Sequence, residues 1–326
     1  MRPKFILLAV AAALCSPHMA GAENYPDRPI RLVVPTGAGG AADIISRMIA
    51  EKLQTSLGQP VVVEDRPGAN GIVGASYVLS APADGYTLMM GHIGLMTINN
   101  HIYKDVKFDP LTDFAPVTLA TTYPNLLVVN NQLRIHSVAE LIQYAKKNPT
   151  ALKYSSSGFG ASFHMAFELL KAKAGINAVH IPYTGTAVAL TAVIAGNVDT
   201  AFTDTITSAP QIAANTLRGI AISSKTRSPT LPDIPTVAES GVPELADFEV
   251  LGWNGIVVKA GTAANRIKLL NEHIRRALTS ADVVERILKL GADVAADTPE
   301  QFAEFMRNED AKWGNLAKTA KLAAVE

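Results

Sequence analysis

Twice along this chain, a short strand-like run stops at a glycine- or serine-rich turn and a helical pattern starts at once. Ile30–Val34 ends at Pro35, glycines follow at 37, 39 and 40, and Ala41–Leu57 then places Ile44, Ile45, Met48, Ile49 and Leu53 at helical spacing. Lys153–Ser156 likewise runs into Ser157-Gly158-Phe159-Gly160-Ala161 before a helical stretch over Ser162–Ala174. Strands that alternate with helices in this way build a parallel sheet covered by helices.

The rest of the chain extends the pattern. Strands are expected at 61–63, 87–90, 126–129, 178–181, Thr200–Thr203, Leu217–Ile222 and 248–258, and helices at 72–79, 138–147, 187–195 and 263–279. Ser137 with Glu140 reads as a capping box, and Thr298, Pro299 and Gln301 open a last helix. Pro229, Pro232, Pro235 and Pro243 exclude regular structure over 228–243. Two α/β halves result, followed by a helical section poor in strands. That section packs most easily on the first half, so the chain crosses between lobes near 123–126 and again near 248–253. Residues 23–124 with 248–326 then form one lobe and 125–247 the other, with a ligand cleft between them.

The first 22 residues are set apart. Arg2 and Lys4 precede an apolar run over 5–14, and Ala20-Gly21-Ala22 supplies small residues for cleavage. This is the layout of a secretory signal peptide cut after Ala22. The run is too short to span a bilayer, which takes about 20 apolar residues. Cys15 is the chain's single cysteine and Leu14 stands before it, which disfavours acylation. An exported chain without this segment has no thiol chemistry.

Composition removes other classes. With 48% apolar and 18% charged residues the chain is core-forming. Lys plus Arg and Asp plus Glu both number 29, so the basic surplus that nucleic acid requires is missing. One cysteine and scattered histidines give no metal-ligand spacing. No cofactor is expected.

The candidate binding residues lie in the two turns. Thr36, Gly37, Ala38, Gly39 and Gly40 precede a helix start, where free amides and the dipole favour an anion. No Lys follows the glycines, and Ala42 breaks a dinucleotide fingerprint. Ser156, Gly160, Ala161, Ser162 and His164 form the second cradle. Two readings of Ser162 and His164 stand: a nucleophile with its base in a secreted hydrolase, or a helix cap and a packed histidine. Two residues apart on one helix do not face each other, which weighs against the first. His92, Tyr183, Thr203 and Asp204 complete the set, Asp204 as a partner for a ligand amine or as a solvated carboxylate.

At these segments the chain resembles the Bug-type extracytoplasmic solute receptors, the substrate-binding subunits of tripartite tricarboxylate transporters. The resemblance covers essentially all of the chain after residue 22. It rests on Tyr25-Pro26 with Pro29-Ile30, on the Pro35 to Gly40 loop with Asp43, and on Val62-Val63-Glu64-Asp65-Arg66-Pro67-Gly68-Ala69. It continues through Ala83-Asp84-Gly85-Tyr86-Thr87-Leu88, Asp113-Phe114-Ala115-Pro116-Val117, the segment 156–164, His180-Ile181-Pro182-Tyr183 with Gly185, and 231–239. It implies a two-lobed type II periplasmic-binding fold with two crossover strands, a monomer without enzymatic activity, and a small organic acid held between the lobes. The partners implied are the membrane permease subunits of such a transporter; a sensor protein is the other class of recipient. Four positions depart from the family pattern. Thr36 and Ala38 replace an aromatic and a proline, Ala161 stands where Ser or Thr is usual, and Thr203 stands where Asp is common.

Overall fold

A computed structural model describes residues 25–320 and Leu322. The expected signal peptide lies outside the described residues. Eleven strands fall into two sheets. The first holds β1 (Ile30–Val34), β2 (Val61–Asp65), β3 (Thr87–His92), β4 (Phe114–Pro124), β10 (Leu251–Lys259) and β11 (Asp293–Val294), in the order β11-β4-β10-β3-β1-β2. The second holds β5 (Leu126–Asn130), β6 (Lys153–Ser156), β7 (Val179–Pro182), β8 (Thr200–Thr203) and β9 (Leu217–Ile222), in the order β7-β6-β8-β5-β9. Each sheet with its helices is a lobe.

Parallel pairing is confined to the strands that carry the turns. β1 runs parallel to β2 and β3, and β6 parallel to β7 and β8. Both glycine- or serine-rich turns therefore leave the carboxyl ends of parallel strands. β10 is antiparallel to both β3 and β4, and so closes the first sheet with a segment from the far end of the chain. β4 has no period-2 pattern because it is buried over most of its length, and its prolines and threonines hide it from sequence reading.

The first sheet is covered on both faces. Ile45, Ile49 and Leu53 of the Ala41–Leu57 helix meet Leu270 and Ile274 of the Ala264–Leu278 helix over one face. Trp253, Val257 and Phe302 pack on the other, under the Pro299–Thr319 helix. Gly255 in β10 makes the last contact possible: a Cβ there would lie 2.2 Å from the Phe302 ring. Thr298 and Gln301 form the reciprocal capping box that opens this helix. At the Val138–Lys147 helix only half the expected box is present. Ser137 accepts from Glu140 N, whereas Glu140 Oε2 accepts from His136 N rather than from Ser137.

The chain passes from the first sheet to the second at Asn125 and returns before β10. Three residues tie the crossings together. Asn125 N donates to Ser223 Oγ at 2.7 Å, Ser223 Oγ donates to the Val250 carbonyl at 2.5 Å, and Val250 N donates to the Ser223 carbonyl at 3.0 Å. All three are fully buried, so each of these bonds is shielded from water.

Candidate functional site

A cavity of about 410 Å³ lies between the lobes, within the usual range for small-ligand sites. Its wall is assembled from helix starts. The helices Ala41–Leu57, Ser162–Ala174 and Thr186–Ile194 open onto it through Ala41, Ser162 and Thr186. Their N-cap residues are Gly40, Ala161 and Gly185, and none supplies a side-chain cap. An uncapped helix start leaves its first amides without an intrahelical acceptor, at the positive end of the dipole. Three such starts on one cavity make its polar surface donor-rich without any cationic side chain.

The fourth helix start is different. Asp204 caps the Thr205–Ala213 helix, its Oδ1 accepting from Thr207 N at 2.7 Å and Thr207 Oγ1 at 2.9 Å. Here the chain brings its own carboxylate to a helix start.

Of the residues expected from sequence, Thr36, Gly37, Gly39, Gly40, His92, Ala161, Ser162 and Asp204 line the cavity. Ala38, Ser156, Gly160, His164, Tyr183 and Thr203 are not brought into its wall. Ala38 is exposed but is not among the lining residues. Ser156 and Thr203 are buried in β6 and β8, and Tyr183 packs on the apolar cluster beneath the second sheet.

The turns consume several of their own amides. Gly39, at φ +80°, donates its N–H to Asp43 Oδ2 at 2.8 Å, so that amide is spent on the turn. Arg47 Nε lies 2.7 Å from Asp43 Oδ1 and fixes the carboxylate that holds the loop. In the second turn Gly158 N donates to Ser156 Oγ, Gly160 N to His164 Nδ1 and Ala161 N to the Gly158 carbonyl. The donors left for a ligand are the first-turn amides after Gly40 and Ala161.

Behind the second turn lies a buried stack. The His164 and His180 rings are 4.1 Å apart, and Tyr154 stacks on Phe167 at 4.0 Å. Tyr154 donates to Glu168 Oε1 at 2.5 Å, and Lys171 Nζ sits 2.6 Å from the same oxygen. Burial holds the pKa of both histidines down to about 3, so both are neutral at pH 7. His164 is therefore an acceptor that shapes the turn. Ser162 Oγ donates to Asn125 Oδ1 at 3.3 Å, so its hydroxyl is directed to the crossing and not to His164.

His92, at the end of β3, behaves similarly. Burial lowers its pKa to about 4. Nδ1 accepts from Leu95 N at 3.4 Å, which puts the proton on Nε2. Nε2 is buried against Gly71 and has no hydrogen-bond partner among the described residues.

Sequence reasoning misses much of the polar wall, including Asn70, Tyr123, Ser157, Thr186, Thr207 and Asn254, and the Leu290-Gly291-Ala292 turn. Local signals exist for Thr186, which follows Gly185 at a helix start, and for Asp204 with Thr207, which have N-cap spacing. Burial, and after it the Asp204 carboxylate, raises the Tyr123 pKa and keeps its phenol protonated. The lobes touch beside the cavity, where Tyr103 Oη donates to the Phe159 carbonyl at 3.0 Å and the two rings meet edge to face. Among the described residues no group of three or more His, Cys, Asp or Glu is placed to hold a metal, and no helix is long and apolar enough to cross a membrane.

Comparison with known proteins agrees with this architecture. The UPF0065 protein in the tcbD-tcbE intergenic region of Pseudomonas sp. (strain P51) is 38% identical over 318 residues, 97% of this chain and 94% of that one. The R. palustris protein Rpa4515, solved with adipate, superposes with a TM-score of 0.83 at 34% identity, covering 92% of this chain and 100% of its own. The periplasmic binding protein BugD superposes with a TM-score of 0.80 at 32% identity, covering 92% and 100%. The model of the tripartite tricarboxylate transporter family receptor, TctC, matches residues 45–322. This chain, two α/β lobes around a cleft of helix starts, belongs to the TctC family of tripartite tricarboxylate transporter receptors.

Proposed function

We propose that this chain is a periplasmic solute receptor that captures a small organic acid between its lobes and delivers it to the membrane permease of a tripartite tricarboxylate-type transporter. The observation that carries the reading is the convergence of three uncapped helix starts on one cavity. A carboxylate placed there replaces water at amides that have no other acceptor. Each such charge-assisted bond contributes about 1.5–3 kcal/mol. Residues 23–124 with 248–326 and residues 125–247 act as the two bodies, and the Asn125–Ser223–Val250 tie as the hinge between them. Donors from both bodies reach one guest only when the cleft is shut, so the guest favours the closed form by its differential affinity. The receptor acts as a monomer, needs no metal or cofactor, and leaves its guest chemically unchanged. The adipate held by Rpa4515 and the periplasmic placing of BugD support this reading, as does the signal-peptide layout of residues 1–22.

The test is a thermal-shift screen of organic acids, each paired with its neutral amide. A tight ligand raises the melting temperature by mass action. Stabilisation by acids and not by their amides is the expected result, with the acid recovered intact. Equal shifts from acid and amide, or conversion of the acid, would overturn the proposal.

A further inference from the structure

The cavity wall is unusual in its charge. No lysine or arginine lines it, and its one histidine, His92, is neutral at pH 7. Asp204 is the single Asp, Glu, Lys or Arg among the lining residues. It is half-buried. Thr207 satisfies Oδ1 alone. The protonated phenol of Tyr123 lies close enough to feel that charge. A guest in this cleft therefore meets amide donors at the starts of Ala41–Leu57, Ser162–Ala174 and Thr186–Ile194, and a carboxylate acceptor at Asp204 on the second lobe.

From this we infer that Asp204 selects a monocarboxylate whose other end is a hydrogen-bond donor, an ammonium foremost, and disfavours dicarboxylates. The inference rests on the acid-binding reading above and gives it a ligand class. A second carboxylate on the guest placed beside Asp204 faces a like charge there, which disfavours its ionised form. An ammonium at that end supplies the counter-charge that the wall lacks. Specificity then comes from repulsion of the wrong guest as much as from attraction of the right one.

Two probe sets of matched shape test this. One is pentanoate, 5-aminopentanoate and glutarate; the other is benzoate, 4-(aminomethyl)benzoate and terephthalate. Affinities are measured by calorimetry on the wild-type protein, on Asp204→Asn and on Asp204→Ser. Asn and Ser both cap helices well, so the charge is removed while the Thr205–Ala213 helix start stays satisfied. In the wild type, the amino acid of a set should bind at least about tenfold more tightly than its dicarboxylate. Either variant should bring that ratio to within about threefold, with an unchanged circular dichroism spectrum. A wild-type preference for glutarate or terephthalate, or a ratio that survives the loss of Asp204, would overturn the inference and leave the receptor reading standing. Failure of all six probes to bind would overturn both.

Discussion

The phenol of Tyr103, on the first lobe, donates a hydrogen bond to the main-chain carbonyl of Phe159, on the second, at 3.0 Å. Phe159 belongs to the turn that presents Ala161 and Ser162 to the cavity, so this bond ties a cavity-lining turn to the opposite lobe. Separation of the lobes in the proposed opening would break it. Tyr103→Phe keeps the edge-to-face ring contact and removes the donor. Affinity for the bound acid should fall by about 0.5–1.5 kcal/mol, roughly 2- to 12-fold, by calorimetry. The ligand-free melting temperature should change much less. An equal loss in both would mean that the bond serves the fold and not closure.

Gly40 offers a test of the first cradle that spares the fold. Its φ of −77° suits any residue, and an added Cβ would meet only the Gly37 carbonyl, at 3.6 Å. Gly40→Val should therefore fold with a near-normal melting temperature. The branched side chain stands at the helix start where the carboxylate approaches, so affinity should drop by about a hundredfold or more. Unchanged affinity would remove this turn from the site.

Acid should weaken the protein before it unfolds. His164 and His180 are held neutral to about pH 3 in the folded state, against 6.5 as the ordinary value. Below pH 6.5 the unfolded chain takes up protons that the folded chain refuses, so stability falls as pH drops from about 6.5 toward about 3. His164→Asn retains an acceptor for the Gly160 amide and removes one titrating group. Its stability loss between pH 7 and pH 5, from urea melts, should be smaller than wild type's by about 2 kcal/mol. An identical pH profile would show that His164 is not held neutral.

Gly255 tests the packing of the first lobe. A methyl group there would overlap the Phe302 ring, whose centroid stands 5.6 Å from that of Trp253. Gly255→Ala should destabilise by about 1–3 kcal/mol in a urea melt. Gly255→Ala with Phe302→Leu should recover part of that loss, whereas strictly additive losses would place the strain elsewhere.

What was legible in the sequence was local. Ile30–Val34, Lys153–Ser156 and Ser162–Ala174 have the bounds that their apolar runs and turn residues imply, because glycine, serine and capping chemistry act within a few residues. β4 was not legible: Phe114–Pro124 is buried through most of its length and owes its place to pairing with β10, more than 100 residues away. The cavity divides in the same way. Thr36, Gly40 and Ser162 follow from helix starts, while Tyr123, Asn254 and Gly291 reach the wall only through tertiary folding. Gly160 and His164 share a turn with lining residues but sit on its inner side, a distinction that spacing does not carry.

The central claim is that main-chain amides at helix starts grip a carboxylate between the lobes. A crystal structure of the complex with the acid that gives the largest melting shift tests it most directly. Carboxylate oxygens should lie within hydrogen-bond distance, about 2.7–3.2 Å, of the amides that follow Gly40 and Ala161. An acid seated outside the cleft, or held there with its carboxylate away from both helix starts, would contradict it.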